Sequence, residues 1–336
     1  MRSMPIALRR RTLSLLAGIV LVTAFSLTGC RGKSTAAENH GLLPVRLQAD
    51  WYPQPEQGGF YTALAKGYYR EEGLDLSILP LGQYGSGLQV VASGAAEFGL
   101  GSSDQILESV ANGLPLVAVG ATMQHDPQAL MVHADSPVHD FSDLDGRTIA
   151  AQPGAVWFQF LVQKYHLQKV REVPATHSVA NFLADPNYIQ QIFATSEPFF
   201  VAKAGGQCRT LLISSAGYDP YRVFFTRRDF LAEHPAAVAG FVRATLRGWR
   251  EYLRDPAPAN ALILQLNPAQ NPEQMNFTVK ALTEGKFITG DDASGASIGR
   301  MTAQRWAVNN RQLTQLGVIQ HAIDPASAYT LRFLPQ

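Results

Sequence analysis

The sequence predicts an α/β protein in which short strands and helices alternate along the chain. Apolar residues recur at every second position over 45–51 and 74–79, a pattern typical of strands with one buried face. Phe60, Leu64 and Tyr68 recur at four-residue intervals, which is typical of one face of a helix. Strands and helices alternate four times up to Thr122 with short connections, which favours a parallel sheet covered by helices on both faces.

The composition is that of a soluble globular protein with enough chain for two hydrophobic cores. The protein has 336 residues, of which 46% are hydrophobic and 16% are charged, and its mean hydropathy is −0.04. A chain of this length and hydropathy is long enough to form two domains, each with its own core.

The amino terminus predicts export and a lipid anchor. Arg9, Arg10 and Arg11 precede an apolar run over 13–27, which is too short to span a bilayer and ends in small residues, as a secretory signal does. The run closes on Leu-Thr-Gly-Cys, which looks like a lipobox, so we predict that residues 1–29 are removed and that Cys30 carries the lipid. Residues 30–43 then form a tether. The alternative is an ordinary signal peptide with an incidental cysteine.

This organisation predicts a protein held at the cell membrane that faces the periplasm or the cell exterior. The sequence decides neither between Sec and twin-arginine export nor between anchoring in the inner and the outer membrane. Removal of residues 1–29 takes away four arginines and leaves 24 basic and 27 acidic residues, a net charge of −3. Without a basic stripe, we expect no nucleic-acid partner. Cys30 and Cys208 alone provide no intramolecular disulfide framework.

The segment 50–73 contains the first candidate binding residues. It begins where a strand ends, two prolines and two glycines turn the chain, and a helix follows. Trp51, Gln57, Phe60 and Tyr61 therefore fall where the carboxyl end of a strand meets the amino end of a helix. In open α/β sheets, ligands bind at this edge.

The remaining pattern divides into a second α/β region and a helical carboxyl-terminal region. The alternation restarts over 141–150 and continues to Thr226, after which the pattern is mostly helical up to Leu316. For the second region we predict helices over 155–166, 178–191 and 197–204 and strands over 193–196, 209–213 and 221–226.

Four phrases resemble the solute-binding proteins of bacterial ABC importers. The first is Trp-Tyr-Pro followed by Gly-Phe-Tyr-x-Ala-x-Ala-Lys-Gly-Tyr-Tyr-x-Glu-Glu-Gly-Leu within 51–74. The second, over 141–150, resembles the entry to the second domain of that family, the third spans 227–235, and the fourth, short and less specific, spans 299–306. The resemblance covers about residues 44–316, and its nearest branch handles thiamine pyrimidine precursors, sulfonates, nitrate and taurine.

The resemblance implies a periplasmic-binding-protein-like fold of type II, with two α/β lobes and a ligand cleft between them. The second lobe, residues 132–223, is inserted in the first lobe, residues 44–131 and 224–336. It also implies a monomer that delivers a small molecule to an ABC permease in the membrane.

Aromatic and polar residues at the predicted strand-to-helix junctions are candidates for ligand binding. Aromatic rings there could stack on a planar ligand, although each could also pack only in a core. Ser102 and Ser103 could bind an anion or carbonyl at a helix amino end, or act only as caps. The candidate set is Trp51, Gln57, Tyr61, Gln83, Tyr84, Ser102, Ser103, Gln124, His125, Trp157 and Glu197.

Glu197 is the sharpest polar candidate. It stands in Ser196-Glu197-Pro198 at the start of a predicted helix, and the resembling family has a similar phrase at the mouth of its cleft. A carboxylate facing an aromatic cleft could accept hydrogen bonds from an amino group of the ligand. The alternative is that Glu197 only complements the helix dipole.

Motifs that would indicate an enzyme fail in their context. Gly295-Ala296-Ser297-Ile298-Gly299 has the spacing of a nucleophile elbow, but a polar loop precedes it where a buried strand is required. His125, His133 and His139 lack helical spacing for zinc, and no phosphate-binding glycine motif follows a first strand. We predict no catalytic residue, no metal and no cofactor.

The sequence therefore predicts a lipid-anchored solute-binding protein for a planar nitrogen heterocycle similar to a thiamine pyrimidine precursor. Arginines and lysines are scarce at the junctions, so a sulfonate, nitrate or taurine is the alternative ligand. A pyrimidine-precursor synthase resembles this fold but is associated with a cysteine-rich motif, and this chain has two cysteines. A ligand-sensing subunit that docks on a receptor is a further alternative.

Overall fold

The computed structural model describes residues 41–81, 87–176, 178–292 and 294–335. Over these ranges no helix is both long enough and apolar enough to cross a membrane. The predicted signal segment, Cys30 and most of the tether lie outside the described residues, as do Gln83 and Tyr84.

Ten strands form two five-stranded sheets with the same kind of strand order. The first sheet has the order β2-β1-β3-β10-β4 and the second has the order β7-β6-β8-β5-β9. In each sheet a crossover strand, β10 in the first and β5 in the second, lies between the third and fourth of the other four strands in chain order. The strands are β1 Leu43–Gln48, β2 Leu74–Leu79, β3 Phe98–Ser102, β4 Leu116–Met123, β5 Gln128–His133, β6 Thr148–Ala151, β7 Arg171–Pro174, β8 Ile189–Phe193, β9 Cys208–Leu212 and β10 Arg222–Arg227.

Twelve helices of the described residues cover these sheets. They are α1 Gly58–Ala65, α2 Tyr68–Glu71, α3 Gly87–Ala92, α4 Ser103–Ala111, α5 Val156–Tyr165, α6 Ala180–Ala184, α7 Glu197–Lys203, α8 Arg228–Glu233, α9 Pro235–Arg254, α10 Ala257–Leu266, α11 Pro272–Glu284 and α12 Ala303–Gln315. Short 3₁₀ turns lie at Pro55–Gln57, Phe141–Leu144, Ile213–Ala216 and Pro325–Ala328.

Both sheets are mixed, which corrects the expectation of a purely parallel sheet. In the first sheet β1 runs parallel to β2 and β3, whereas β10 runs antiparallel to β3 and β4. The reason is connectivity, because β10 returns from the second half of the chain and enters the sheet in the opposite direction. β5 takes the equivalent antiparallel position in the second sheet.

The change from one sheet to the other lies earlier than the predicted lobe boundary at 131. β5 begins at Gln128 and pairs with β8 and β9, so the whole strand belongs to the second sheet. The return is at β10, whose first residue, Arg222, already pairs with the first sheet. We call the first sheet with its helices the first lobe, and the second sheet with α5, α6 and α7 the second lobe.

The predicted helix over 178–191 and the predicted strand over 193–196 are both wrong. The structure has the short helix α6 followed by β8, which ends at Phe193. Pro186 explains the difference, because it has no N–H to donate and it disfavours a helical conformation for the residue before it. Asp185 Oδ1 also accepts a hydrogen bond from the Asn187 N–H at 2.9 Å, which forms a turn at this point.

Each lobe has a core that follows from strand periodicity. In the first lobe, β3 and β4 are buried along their whole length, as expected for central strands covered on both faces. In the second lobe, the alternate residues Leu130 and Val132 pack on one side of the sheet, and Ala129 and Met131 pack on the other. Helices therefore cover both faces of this sheet, and its loops remain to form a site.

Candidate functional site

A cleft of about 930 Å³ lies between the two lobes. It is lined by the segments that follow β1, β3 and β4 in the first lobe and β6 and β8 in the second. These are the carboxyl ends of strands, the edge at which ligands bind in open α/β sheets. The volume lies within the range of small-molecule sites, about 300–1,000 Å³.

Two tryptophans from different lobes line the cleft. Trp51 follows β1 and is 38% exposed, whereas Trp157 lies in the first turn of α5 and is 3% exposed. The Trp157 indole Nε1 is buried and has no hydrogen-bond partner among the described residues. The cleft thus offers one accessible aromatic surface and one buried N–H donor without an acceptor, a combination suited to a planar ring that carries acceptor atoms.

Carboxyl groups far outnumber basic groups along the described lining of the cleft. Six acidic residues face a single arginine, Arg222, so an anionic ligand would meet mainly repulsion. A ligand that donates hydrogen bonds or carries positive charge would be stabilised. The acidic residues are Asp50, Glu56, Asp104, Glu108, Asp126 and Glu197.

Arg222, the first residue of β10, is already engaged within the cleft. Its Nη2 lies 3.6 Å from Asp50 Oδ2, and its guanidinium carbon lies 5.0 Å from the centre of the Phe193 ring in the second lobe. Burial alone would lower the pKa of the guanidinium, but the nearby charges of Asp126, Asp50 and Asp104 outweigh burial and raise the pKa. Arg222 is therefore a firmly charged group whose charge is balanced by its neighbours.

Two of the carboxyl groups have pKa values near neutrality. Burial raises the pKa of Asp126 to about 6, although the charge of Arg222 opposes the shift. Burial likewise raises the pKa of Glu56 to about 7, against the opposing effect of a hydrogen bond from Thr195. These groups therefore gain and lose protons close to neutral pH.

Glu197 lines the cleft and also organises the turn that precedes α7. Its Oε2 accepts a hydrogen bond from the Phe193 N–H at 2.9 Å. Burial raises the pKa of Glu197, and the hydrogen bond from Phe193 opposes that shift. The carboxyl group is thus held in a fixed position at the cleft surface, on the lobe opposite Trp51.

Glutamine amides supply most of the remaining polar lining. Each amide presents both a donor and an acceptor, which suits the mixed hydrogen-bonding edge of a nitrogen heterocycle. Gln57 Nε2 donates to Asp50 Oδ1 at 3.2 Å, which leaves Gln57 Oε1 without a partner among the described residues. The lining glutamines are Gln54, Gln57, Gln105, Gln128, Gln152, Gln191, Gln270 and Gln274.

Thr195 connects the two lobes beside the cleft. It lies just after β8 and is fully buried. Its Oγ1 donates to Glu56 Oε1 at 2.7 Å, and its carbonyl oxygen accepts from Thr278 Oγ1 at 2.8 Å. Lys203 and Glu273 add an exposed ion pair between α7 and α11 at 3.1 Å. The lobes are therefore held together by a buried hydrogen-bond network as well as by the crossover strands.

Five of the candidate residues chosen from the sequence lie together on the cleft. They come from both lobes and include the two tryptophans and Glu197. These residues are Trp51, Gln57, Ser102, Trp157 and Glu197.

Four other candidates are placed elsewhere. Tyr61 is 1% exposed and packs in the core of the first lobe. Ser103 Oγ donates to Asn309 and accepts from the Tyr221 N–H, so its hydroxyl is used internally. Gln124 Nε2 donates to two backbone carbonyls, and His125 Nδ1 lies 2.8 Å from Asp219 Oδ2. None of the four lines the cleft.

The sequence analysis missed the central ionic group of the cleft. Asp50 directly precedes Trp51, and Asp126 precedes Pro127 at the end of β4, so both occupy the same kind of junction as the chosen residues. Their position after the ends of strands could therefore have identified both aspartates as candidate cleft residues. Arg222 opens a strand instead of following one, and nothing local in the sequence distinguishes it. No group of three or more metal-binding side chains was found in the part of the chain that the structure describes.

Two α/β lobes joined by crossover strands, with a cleft at the carboxyl ends of both sets of strands, define the periplasmic-binding-protein fold. The same fold is found in the periplasmic aliphatic sulphonate binding protein SsuA from Escherichia coli, with a TM-score of 0.62 and 16% identity over 84% of this chain and 91% of that chain.

The chain belongs to the NMT1/THI5-like family, whose model matches residues 54–259. It is 26% identical to the riboflavin-binding protein RibY of Chloroflexus aurantiacus, over 98% of both chains. It is 23% identical to a 4-amino-5-hydroxymethyl-2-methylpyrimidine phosphate synthase of Legionella pneumophila, over 87% of this chain and 92% of that protein. The matched proteins thus include one named for binding and one named for synthesis.

Proposed function

We propose that this protein captures a planar nitrogen heterocycle of the aminopyrimidine type and delivers it to the permease of an ABC importer. The observation that carries the proposal is the composition of the cleft. Trp51 and Trp157 line it from different lobes, and among the described lining residues six carboxyl groups accompany one arginine that is already paired. Such a site favours a flat ligand with hydrogen-bond donors over an anion.

The anchoring part of the proposal rests on the amino-terminal sequence. Cleavage before Cys30 and lipidation of its thiol would hold a monomer at the outer face of the membrane, where it can meet the permease. Mass spectrometry of the membrane-extracted protein tests this, because a diacylglyceryl-modified Cys30 has a defined mass. An unmodified amino terminus beyond Cys30 would contradict the anchor.

Riboflavin is a second candidate ligand. The chain matches a riboflavin-binding protein over nearly its whole length, and a cleft of about 930 Å³ has room for a three-ring flavin. The ribityl hydroxyl groups would donate hydrogen bonds to the carboxylates and amides of the lining.

A binding role is favoured over catalysis. The cysteine-rich motif associated with pyrimidine synthesis requires more cysteines than Cys30 and Cys208 provide. Mass spectrometry of ligand released from the purified protein after incubation with pyridoxal phosphate distinguishes the two roles. A binding protein releases only the molecules that were added to it, whereas a new pyrimidine formed during the incubation would indicate an enzyme.

Thermal unfolding with added ligands tests the proposed class of ligand. A ligand that binds only the folded state at one hundred times its dissociation constant raises stability by about 2.7 kcal/mol. We expect a rise in Tm with aminopyrimidines or riboflavin and none with nitrate or taurine. Stabilisation by the anions alone would reject the heterocycle.

Glu197→Gln tests the contact of the second lobe with the ligand. The amide can still accept from the Phe193 N–H, so the turn is preserved while the charge is lost. We expect affinity for an amino-bearing heterocycle to fall about tenfold or more in isothermal titration calorimetry. Glu172→Gln, at an exposed position of β7, serves as the control and leaves affinity unchanged. Equal affinities of both variants would remove Glu197 from the site.

A further inference from the structure

The single arginine of the described cleft lining is surrounded by carboxyl groups from separate parts of the first lobe and the crossover. Asp50 lies two residues after the end of β1, and its Oδ2 lies 3.6 Å from Arg222 Nη2. Asp126 lies in the crossover between β4 and β5 and is 3% exposed, and Asp104 lies in the first turn of α4. The guanidinium therefore lies among opposite charges before any ligand arrives.

Asp50 and Asp126 each make a further hydrogen bond within the protein. Asp50 Oδ1 accepts from Gln57 Nε2 at 3.2 Å, and Asp126 Oδ1 accepts from the Gln128 N–H at 3.0 Å. Each carboxyl group thus has a hydrogen bond besides its interaction with Arg222. The lining also contains the buried, unpartnered Nε1 of Trp157 and Oε1 of Gln57.

We propose that Asp50 and Asp126 determine the charge class of the ligand by masking Arg222, so that the cleft rejects anions and accepts ligands that donate hydrogen bonds or carry positive charge. This inference rests on the proposed role of the cleft as the binding site. Arg222 acts as an internal counter-ion in this arrangement. Removal of the mask turns the same cleft into one that binds anions.

The principal test is the double substitution Asp50→Asn and Asp126→Asn. Asparagine has the same shape and keeps an acceptor oxygen for Gln57 Nε2 and the Gln128 N–H, while the two negative charges are removed. We expect affinity for butanesulfonate, measured by calorimetry, to rise at least about tenfold above that of the wild-type protein. Adding Arg222→Gln to the double variant should abolish the gain.

Glu108→Gln is the matched control, because it also removes a carboxylate from the cleft but is not among the charges that act on Arg222. It is compared with the single variant Asp50→Asn. A sulfonate gain in Asp50→Asn that exceeds the gain in Glu108→Gln supports masking. Equal gains indicate only a general change in potential and would overturn the proposal, as would a folded double variant with no gain.

A measurement that leaves both aspartates in place keeps the proposal testable if the double variant does not fold. Asp50, Asp104 and Asp126 face Arg222, and Asp126 is also influenced by Asp219. Since the pKa of Asp126 is about 6, acidification from pH 8 to pH 5 neutralises part of the mask. Glu56 of the same cleft also gains a proton over this range, so the titration is done in the Glu56→Gln background. Butanesulfonate affinity should rise as the pH falls, and a constant or falling affinity would contradict masking.

These outcomes separate the inference from the proposed ligand. If the wild-type protein binds no heterocycle but the double variant gains affinity for the sulfonate, the proposed ligand class is wrong and the masking of Arg222 is supported. Heterocycle binding without any sulfonate gain retains the ligand class and rejects the masking.

Discussion

Glu56 shows how one buried residue can make stability depend on pH. The pKa of its carboxyl group is about 7 in the folded protein, against 4.5 for an ordinary glutamate, because burial disfavours the charged form. The contribution to stability is therefore fully present below about pH 4.5 and is lost as the pH rises through 7. The linkage relation gives a loss of about 3 kcal/mol from this group between those limits.

Glu56→Gln tests this dependence. The amide oxygen can still accept from Thr195 Oγ1, but the side chain no longer ionises. We expect the variant to gain stability relative to the wild-type protein as the pH rises from 5 to 8, measured by urea unfolding at each pH. Glu233→Gln, at an exposed position of α8, is the control and should show a constant difference. A constant difference for Glu56→Gln as well would show that burial does not perturb this carboxyl group.

At the residue scale, the sequence predicted cleft residues correctly where a strand-to-helix junction alone places the side chain, and failed where a distant residue binds that side chain. Trp51, Trp157 and Glu197 lie on the cleft because each occupies a strand-to-helix junction. Gln124 occupies a comparable junction, yet its amide is used by the carbonyl groups of Ser297 and Arg300. Local sequence carries no information about such a partner.

At the scale of elements, the closest packing is between α1 and α9. Gly59 lies against the Trp249 ring, and Gly248 lies against the backbone of α1, so each helix presents a glycine to the other. A Cβ on Gly248 would lie 2.1 Å from the Gly59 carbonyl oxygen, far inside normal contact distance. The two helices can approach this closely only while both positions lack a side chain.

Gly248→Ala reverses the usual effect of alanine in a helix. In an exposed helix this change stabilises by about 0.5–1 kcal/mol, but here the helices must separate and we expect a loss of about 2–3 kcal/mol. Urea unfolding monitored by circular dichroism measures the change. Arg250→Ala, on the exposed face of α9, should stay within about 0.5 kcal/mol of the wild-type protein. A Gly248→Ala variant as stable as the wild-type protein would show that the helix pair can shift at little cost.

Element prediction succeeded where periodicity was sustained and failed where it was short. The predicted helix over 155–166 corresponds to α5, and the predicted helix over 197–204 corresponds to α7. The predicted helix over 178–191 merged α6 with β8 across Asp185-Pro186-Asn187. These three turn-forming residues were the signal that should have divided it.

At the scale of the whole molecule, Thr195 is a buried point of contact between the second lobe and the first. Its hydroxyl and carbonyl groups bond to different elements of the first lobe, Glu56 in a 3₁₀ turn and Thr278 in α11. We expect both bonds to break if the lobes separate, because each joins residues of different lobes. The Thr195 bonds therefore favour the arrangement in which the lobes are together, and a ligand that contacts both lobes favours the same arrangement.

Thr195→Val tests this coupling. Valine keeps the size of the side chain and the carbonyl bond to Thr278, but it removes the donor to Glu56 and leaves a buried carboxyl group without that partner. With a net loss of about 1 kcal/mol, we expect ligand affinity to fall about fivefold. Small-angle scattering should show a larger radius of gyration without ligand, and saturating ligand should restore it.

Thr210→Val, at an exposed position of β9, is the control for the same change of residue type. It should alter neither affinity nor radius of gyration. If Thr195→Val behaved in the same way, the buried network between the lobes would have no part in ligand binding.

The sequence by itself determined the alternation of strands and helices and the placement of Trp51 and Glu197 at junctions, because periodicity and turn residues act over a few positions. The phrases shared with a family indicated two lobes. Tertiary structure alone decided that β10 returns to the first sheet and that Arg222 meets Asp50 and Asp126 there. The charge class of the cleft depends on residues far apart in the chain, and their proximity arises only when the second lobe is inserted and the chain crosses back.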